Sequence, residues 1–282
     1  MTTPSIQSPT DAAVLRNGVK MPWIGLGVLY IDDGEPVENA VRWALEAGYR
    51  HIDTASLYGN EAGVGRAIRA SGVPREEVFV TSKVWNSDQG YEKTLAAFEA
   101  SLNRLGMEYV DLYLVHWPVK GLYKETWRAL EDIYASGRAR AIGVSNFLIH
   151  HLQDVMADAR IQPMVNQVEF HPRLQQPELQ AFCREHHIQL EAWRPLMKGR
   201  VMEIPELAAL GEKYGKNPVQ ITLRWMIQKG VVTIPKSANR KRIFSNIDIF
   251  DFEIEDADMA LIDSLDRNER MGRHPGNFHF DF

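Results

Sequence analysis

The sequence predicts an α/β fold in which eight parallel strands alternate with helices and close into a single (β/α)8 TIM barrel. From residue 51 onward, short apolar segments rich in Val and Ile alternate with longer amphipathic segments, which is typical of repeated βα units. The length of 282 residues fits one barrel of this kind. No linker rich in Pro, Gly or Ser divides the chain, so we interpret residues 1–282 as one domain.

The individual strands and helices are predicted from these segments. The strands are Ile24 to Gly27, His51 to Asp53, Val78 to Thr81, Val110 to Val115, Ala139 to Val144, Pro163 to Val168, Ile188 to Ala192 and Val231 to Ile234. The clearest helices are Val37 to Ala47, Tyr91 to Leu105 and Thr126 to Tyr134, and Gly106 is expected to end the second of them. From this pattern alone, a doubly wound open sheet remains an alternative to the barrel.

The segment before the first strand is predicted to form a β-hairpin. Between Ala13 and Trp23, the dipeptide Asn17-Gly18 separates two short apolar pieces, and such a dipeptide favours a two-residue type I′ turn. We expect this hairpin to cover the bottom of the barrel.

Composition narrows the classes of function. Hydrophobic residues make up 45% and charged residues 24%, which allows a substantial core. The net charge is −5, and the densest basic cluster, Lys236 with Arg240 to Arg242, suits one phosphate rather than a nucleic-acid backbone. No apolar stretch approaches the ~20 residues of a membrane span. The lone cysteine, Cys183, and the polar amino terminus favour a cytoplasmic protein.

Polar and aromatic side chains stand at the carboxyl ends of the predicted strands, where the loops of a barrel build an active site. They are Asp53, Lys83, His116, Ser145, Asn146, Gln167, Trp193, Lys236 and Ser237. For any one of them alone, a solvent-facing strand cap is the favoured explanation, but for the whole set it is not. Because an unpaired buried charge is costly, we expect Asp53 and Lys83 to form an ion pair.

Tyr58, which follows Asp53 by five residues, is the predicted proton donor. An unperturbed tyrosine has a pKa of ~10. A neighbouring ammonium favours the phenolate, so Lys83 is expected to lower the pKa of Tyr58 toward the range useful for acid catalysis. His116 is expected to donate a hydrogen bond to a carbonyl oxygen. Such a site would protonate a carbonyl oxygen while hydride reaches the carbonyl carbon.

Hydride transfer requires a cofactor, and the usual dinucleotide-binding pattern is missing. Gly25-Leu-Gly27 lacks the third glycine of that pattern, because Tyr30 stands there, and Gly63-Val-Gly65 follows no predicted strand. A nicotinamide cofactor would therefore lie along the barrel rim. Ser145, Asn146 and Gln167 are the candidates to bind its carboxamide, and Trp193 is the candidate to stack on its ring. Lys236, Ser237 and Arg242 are the candidates to bind a 2′-phosphate.

Four separated motifs resemble those of one known family. They are Gly-Tyr-Arg-His-Ile-Asp-Thr-Ala (48–55) with Tyr-Gly-Asn-Glu (58–61), Asp-Leu-Tyr-Leu-Val-His-Trp-Pro (111–118), Ala-Ile-Gly-Val-Ser-Asn-Phe (141–147) and Ile-Pro-Lys-Ser (234–237). In this order they resemble the aldo-keto reductase superfamily from about residue 14 to the carboxyl terminus. The similarity is greatest to bacterial glyoxal and methylglyoxal reductases, 2,5-diketo-D-gluconate reductases and protozoan prostaglandin F synthases.

The resemblance implies an NADPH-dependent reductase of small aldehydes, ketones or 1,2-dicarbonyls. It implies a catalytic tetrad of Asp53, Tyr58, Lys83 and His116, with NADPH extended across the rim. To the cofactor residues it adds Arg194, Pro195, Leu196, Ala238 and Asn246, and it implies a substrate pocket formed by Leu29, Trp85 and Trp117. We expect a monomer that binds no metal, nucleic acid or membrane.

The chain departs from the family pattern at several positions. Arg194 stands where relatives usually have Ser or Gly, Leu29 where they commonly have an aromatic residue, and Ser56 where they have Ala. Residues 272–277 also differ from the usual carboxyl-terminal segment. These differences put the substrate range and the cofactor affinity in question, but not the reaction type.

Three other functions are weighed against this interpretation. A metal hydrolase could use Glu169 and His171 with Asp53 or His116, but the Lys, Ser, Asn, Gln and Trp residues of the rim argue against it. A non-catalytic NADPH-binding regulatory subunit would share the fold. A reductase of larger ketones, of the diketo-gluconate or prostaglandin type, would share the reaction.

Overall fold

The computed structural model describes residues 6–277, which contain a two-stranded antiparallel hairpin and one eight-stranded parallel sheet. The hairpin strands are β1 (Ala12–Val14) and β2 (Lys20–Pro22). The sheet strands are β3 (Leu26–Gly27), β4 (His51–Asp53), β5 (Phe79–Val84), β6 (Val110–Val115), β7 (Ala139–Ser145), β8 (Val165–Glu169), β9 (Gln189–Trp193) and β10 (Val232–Thr233).

Helices connect consecutive sheet strands. They are α1 (Glu35–Glu46), α2 (Glu61–Ala70), α3 (Tyr91–Leu105), α4 (Tyr123–Ala135), α5 (Ile149–Asp158), α6 (Pro177–Glu185), α7 (Pro205–Tyr214), α8 (Pro218–Gln228), α9 (Arg240–Ile247) and α10 (Asp256–Asp263). The last two follow β10. Among the described residues, none of these helices combines the length and the apolar character that a membrane crossing requires.

The sheet closes on itself, which excludes the open-sheet alternative. Each of β3 to β9 pairs in parallel with the next strand along the chain. The first and last strands then meet, because the Gly25 amide donates to the Thr233 carbonyl at 2.9 Å and the Gly27 amide donates to the Pro235 carbonyl at 3.2 Å. The predicted (β/α)8 barrel is therefore confirmed.

The observed bounds show why the rim residues reach the barrel interior. The predictions for β4, β6 and α3 match residue for residue, and Gly106 ends α3 in the left-handed conformation that favours glycine, with φ 62°. By contrast, β5 continues to Val84 rather than ending at Thr81, so Lys83 lies within a strand. The sequence hides this extension, because a lysine interrupts the apolar pattern.

The hairpin is present, but its turn differs from the prediction. A type I′ turn needs positive φ at both Asn17 and Gly18, and only Gly18 has it, at 85°. Instead the Gly18 amide donates to the Leu15 carbonyl and the Leu15 amide donates to the Val19 carbonyl. This is a three-residue hairpin whose glycine forms a bulge. Residues 14–16 share a surface cavity with residues 188–190 and 229–231, which places the hairpin at the amino ends of β9 and β10, as predicted.

The helices bury one face against the barrel. On α3, Phe98, Leu102 and Leu105 recur at helical spacing and are buried. Removing a buried ring such as that of Phe98 typically costs ~3–5 kcal/mol. On α2, a side chain at Gly65 would collide with the carbonyl oxygen of Leu105, so only glycine allows the two helices to pack this closely.

Candidate active site

The carboxyl ends of the strands open into one large cleft with a cavity volume of about 1770 Å³. Every residue predicted for the site lines this cleft except Lys83, which lies fully buried beneath it. Residues that were not predicted for the site also line it; among them are Tyr30, Leu57, Met202, Met271, Gly272 and Arg273. A pocket for a small ligand usually holds ~300–1,000 Å³, so this cleft has room for an extended ligand and a second small molecule.

The predicted ion pair is present at the base of the cleft. Lys83 Nζ lies 2.6 Å from Asp53 Oδ1 and donates to the Thr54 carbonyl at 2.9 Å. It also donates to the Tyr58 hydroxyl at 3.4 Å. Burial alone would lower the pKa of Lys83, but the charges of Asp53 and Tyr58 and the hydrogen bond to Asp53 together outweigh it and raise that pKa, so the ammonium persists. The structure thus places a buried cation against the phenol oxygen.

The net pKa of Tyr58 differs in direction from the prediction. Burial raises the pKa of the phenol above its usual value of 10, and the charge of Lys83 opposes this rise without reversing it. Tyr58 therefore keeps its proton at neutral pH, which a proton donor must do. The stabilising effect of Lys83 becomes important when that proton leaves.

A short turn holds Tyr58 in place. Residues Ser56–Tyr58 form one 3-10 turn, which ends at Gly59 with φ 69°. The Ser56 hydroxyl donates to the Lys83 carbonyl at 3.0 Å, a bond that the alanine usual in relatives would lack. This departure from the family pattern therefore ties the turn of Tyr58 to the strand of Lys83.

His116 lies between two aromatic rings of the cleft. Its ring makes edge contacts with Tyr58 and Trp85, at centroid distances of 5.8 and 5.0 Å. Burial, followed by the charge of Lys83, lowers the pKa of His116 well below its usual 6.5. The imidazole is therefore neutral at pH 7 and has one N–H group to donate.

The amide and hydroxyl residues of the rim form one network. Asn146, with φ 65°, donates to the His116 carbonyl at 3.0 Å and to the Ser145 hydroxyl at 3.1 Å, and it accepts from Trp193 Nε1 at 2.9 Å. The Ser145 hydroxyl donates to the Gln167 carbonyl at 2.9 Å. Asn146 thus fixes the Trp193 ring, and its side-chain oxygen keeps one acceptor position for a ligand.

Gln167 connects the rim to the barrel interior. Its amide nitrogen donates to Asp53 Oδ2 and to Glu191 Oε2, both at 2.8 Å. Both protons of the side-chain amide are used in this way, so the side-chain oxygen of Gln167 is the atom that remains for a ligand. Glu191 is fully buried on β9, with its Oε1 3.6 Å from His51 Nε2. Neither Glu191 nor His51 was a predicted site residue, because nothing in their local sequence shows this contact across the barrel.

A cluster of residues that includes two cations lines the cleft around the start of α9. Lys236, Ser237, Ala238, Arg242 and Asn246 all line it. The Asn239 side chain caps α9 by accepting from the Arg242 amide at 3.2 Å. Lys236 and Arg242 are exposed, whereas Ser237 and Asn246 are buried. The positive end of the helix and two cations together suit a phosphate group.

Arg194 lies on the rim beside Trp193, in a left-handed conformation with φ 56°. Its guanidinium is 5.1 Å from the Trp193 ring centroid, and Nη1 is 3.9 Å from Glu169 Oε1. Only 20% of the side chain is exposed, and Nη1 is buried without a hydrogen bond among the described residues. These contacts do not fit a solvated rim arginine.

Glu169 and His171 are the residues considered above as ligands of a metal in a hydrolase, and His171 Nε2 lies 3.3 Å from Glu169 Oε1. Across residues 6–277, no three His, Cys, Asp or Glu side chains group closely enough to hold a metal ion. Glu169 instead contacts the backbone of residues 271 and 272.

Comparison with known proteins yields a family match over residues 24–267, to the Aldo/keto reductase family. The chain is 56% identical to a glyoxal reductase of Bacillus subtilis, over 96% of this chain and 98% of that protein. It is 55% identical to a 9,11-endoperoxide prostaglandin H2 reductase of Trypanosoma cruzi, over 95% and 96%. A Bombyx mori aldo-keto reductase in complex with NADP superimposes with a TM-score of 0.87, at 38% identity and covering 94% of each chain.

Proposed function

The chain belongs to the aldo/keto reductase family, and on that premise we propose that it reduces small aldehydes, ketones and 1,2-dicarbonyls to alcohols with NADPH. The observation that carries the proposal is the buried Lys83 ammonium, 3.4 Å from the Tyr58 hydroxyl and neutralised by Asp53 at 2.6 Å. A non-catalytic cofactor-binding subunit would have no need for this arrangement at the base of an open cleft.

In the proposed reaction, the substrate carbonyl oxygen sits between Tyr58 and His116. The Tyr58 O–H bond breaks, and its proton passes to that oxygen, which becomes the hydroxyl of the alcohol. Lys83 then stabilises the phenolate that remains, while Asp53 holds Lys83 in position. Neutral His116 donates its N–H to the same oxygen as negative charge develops there. NADPH, when bound, supplies the hydride for the carbonyl carbon.

The residues of the cleft fit NADPH. Gln167 offers an acceptor oxygen for a carboxamide, and Trp193 is held by Asn146 for stacking against a ring. The cation-rich end of the cleft at α9 suits a 2′-phosphate, which distinguishes NADPH from NADH. We assign Lys236, Ser237, Ala238, Arg242 and Asn246 to that phosphate and its adenosine.

Arg194, Pro195 and Leu196 are assigned to the middle of the extended cofactor. All three line the cleft directly after Trp193. Arg194 Nη1 has unused hydrogen-bonding capacity, which suits the anionic pyrophosphate.

The pocket favours small, reactive carbonyl compounds. Leu29, Trp85 and Trp117 supply apolar contacts beside Tyr58, and Leu57 and Met202 are partly exposed at the mouth. The loop from His116 to α4 is short, since α4 begins at Tyr123. With few polar groups to hold a distant part of the substrate, turnover should depend on the intrinsic reactivity of the carbonyl. We further propose that the protein acts as a cytoplasmic monomer.

Replacing Tyr58 with Phe tests the mechanism. The change removes only the proton donor, so kcat with methylglyoxal should fall by ~10²–10⁴. The dissociation constant for NADPH, measured by quenching of tryptophan fluorescence, should stay near that of the unaltered protein. A Tyr58→Phe protein that consumes NADPH at close to the original rate would refute the assignment.

A further inference from the structure

The segment after α10 approaches the cleft from outside the barrel and forms part of its lining. Met271, Gly272 and Arg273 all line the cleft, and we call residues 271–273 the carboxyl-terminal wall. Between the end of α10 at Asp263 and Pro275 the chain has no helix or strand. The position of this wall therefore depends on specific contacts rather than on regular backbone bonding.

The contacts converge on one buried carboxylate, that of Glu169 at the end of β8. Oε1 accepts from the Met271 amide at 2.8 Å, and Oε2 accepts from the Gly272 amide at 2.9 Å. The Gly272 amide is also 3.1 Å from Oε1. The Glu169 side chain is 0% exposed, so these bonds do not compete with water. Glu169, which precedes Met271 by 102 positions in the chain, thus accepts the backbone hydrogen bonds of the wall.

The charges around Glu169 favour its ionised form. Arg270 Nη1 lies 3.8 Å from Oε2 and Arg194 Nη1 lies 3.9 Å from Oε1, while His171 Nε2 is 3.3 Å from Oε1. Burial would raise the pKa of Glu169, but the bonds from His171 and the two backbone amides outweigh it and lower that pKa. An ionised carboxylate accepts at every position, which is what several converging donors require.

The wall also packs closely against Trp193. A side chain added at Gly272 would lie 2.5 Å from the Trp193 ring and 2.9 Å from Glu169 Oε2. Only glycine fits between this ring and this carboxylate. The contact connects the wall to the residue proposed to stack on the nicotinamide.

From these contacts we infer that Glu169 is a positioning residue that holds the carboxyl-terminal wall against Trp193 and thereby sets how tightly the cleft binds the carbonyl substrate. Glu169 acts through the wall and has no contact with Tyr58, Lys83 or His116 among its bonds in the described residues. Its loss should therefore weaken substrate binding more than it slows proton transfer. The activity readout of this inference rests on the proposed reductase function.

The test compares Glu169→Gln with Glu169→Ala and with Glu269→Gln as a matched control. In Glu169→Gln, an NH2 group replaces one acceptor oxygen and opposes a backbone donor. Glu269 lies in the same segment, but its carboxylate is partly exposed and pairs with Arg173 at 3.3 Å and Arg200 at 3.7 Å, surface contacts that contribute little. Both Gln variants remove one negative charge, so a difference between them isolates the buried contact.

Limited trypsin digestion reports on the wall without any activity measurement. Arg270 and Arg273 flank residues 271 and 272, and trypsin cleaves after arginine only where the backbone can leave the surface. Cleavage after these two residues should be about tenfold faster in Glu169→Gln, as expected for the loss of a charge-assisted bond, and faster still in Glu169→Ala. At the Arg273 bond, which is not adjacent to residue 269, Glu269→Gln should match the unaltered protein.

Steady-state kinetics supply the second readout. KM for methylglyoxal should rise about tenfold in Glu169→Gln while kcat stays within about threefold. The inference is overturned if cleavage after Arg270 and Arg273 is unchanged in both Glu169 variants, or if it rises equally at distant sites such as Arg138 and Arg160. A fall in kcat with KM unchanged also overturns it. If the unaltered protein reduces no carbonyl, the proposed function fails, whereas selective cleavage of Glu169→Gln would still support the role of Glu169 in holding the wall.

Discussion

Replacing Glu191 with Gln is expected to make the stability of the protein far less dependent on pH. Glu191 is fully buried, and Gln167 bridges it to Asp53, whose charge is already paired with Lys83. Burial, followed by the negative charge of Asp53, raises the pKa of Glu191 from its usual 4.5 to about 8. Because the folded state holds this proton more tightly than the unfolded chain, the stabilisation is complete below pH 4.5 and is lost as pH rises toward 8.

The size of the effect follows from that difference in pKa. Each unit corresponds to ~1.4 kcal/mol, so the free energy of unfolding should fall by ~3 kcal/mol between about pH 5 and pH 8 on account of Glu191 alone. A Gln side chain does not ionise and still offers an oxygen to the Gln167 amide. Relative to the unaltered protein, Glu191→Gln should therefore gain ~3 kcal/mol over this interval, or roughly 5–10 °C in Tm.

Thermal unfolding followed by circular dichroism at several pH values measures this gain. The control is Glu108→Gln, which removes a carboxylate from an exposed position. Its Tm should change with pH in parallel with that of the unaltered protein. If the Glu191→Gln curve also runs parallel to that of the unaltered protein, Glu191 is ionised in the folded state at neutral pH and the reasoning is wrong.

Three further predictions concern binding and specificity. Arg242→Ala should weaken NADPH binding about tenfold while leaving NADH unchanged, since only NADPH carries the 2′-phosphate; equal weakening of both, in fluorescence titrations, would reject that assignment. Arg194→Ser should reduce NADPH affinity and lessen its dependence on salt, because a cation next to the pyrophosphate is lost; titrations at low and high salt that match the unaltered protein would contradict it. Methylglyoxal and nitrobenzaldehydes should be the best substrates, with KM toward the upper end of the usual ~1 μM–1 mM range; a steroid or prostaglandin endoperoxide with a much higher kcat/KM would show a deeper, more selective pocket.

The sequence alone was enough to predict the barrel and to bring Asp53, Tyr58, Lys83 and His116 together. The reason is geometric: in a parallel barrel, whatever follows each strand must meet at one end. Position along the chain therefore carried the information, and no knowledge of side-chain packing was needed. The same reasoning predicted rim residues such as Gln167 and Trp193, whereas the family resemblance added Leu29, Arg194, Pro195, Leu196, Ala238 and Asn246; all of them line one cleft.

What the sequence did not predict depends on contacts across the barrel and on competing energies. In the sequence, Glu191 looks like an ordinary strand residue and Glu169 like a candidate metal ligand, until Gln167 and Gly272 are placed beside them. The direction of the Tyr58 pKa shift required a comparison of burial with the charge of Lys83, and the number of neighbours that bury the phenol cannot be read from the chain. The predicted turn type at Gly18 was wrong for a local reason, because Asn17-Gly18 also fits a three-residue hairpin loop.

The closure of the barrel by its first and last strands has a consequence for how the protein becomes active during synthesis. Gly25 and Thr233 are separated by most of the chain, and the Gln167–Asp53 bond spans 114 residues. Contacts between such distant residues form slowly, because closing a long loop costs conformational entropy. In addition, the first strands emerge from the ribosome long before their final neighbour exists. Until β10 arrives, the edge of β3 offers unpaired backbone groups to other chains. The nascent protein is therefore expected to stay prone to aggregation until β10 has been made, and catalytic competence should appear only after nearly the whole chain has been synthesised.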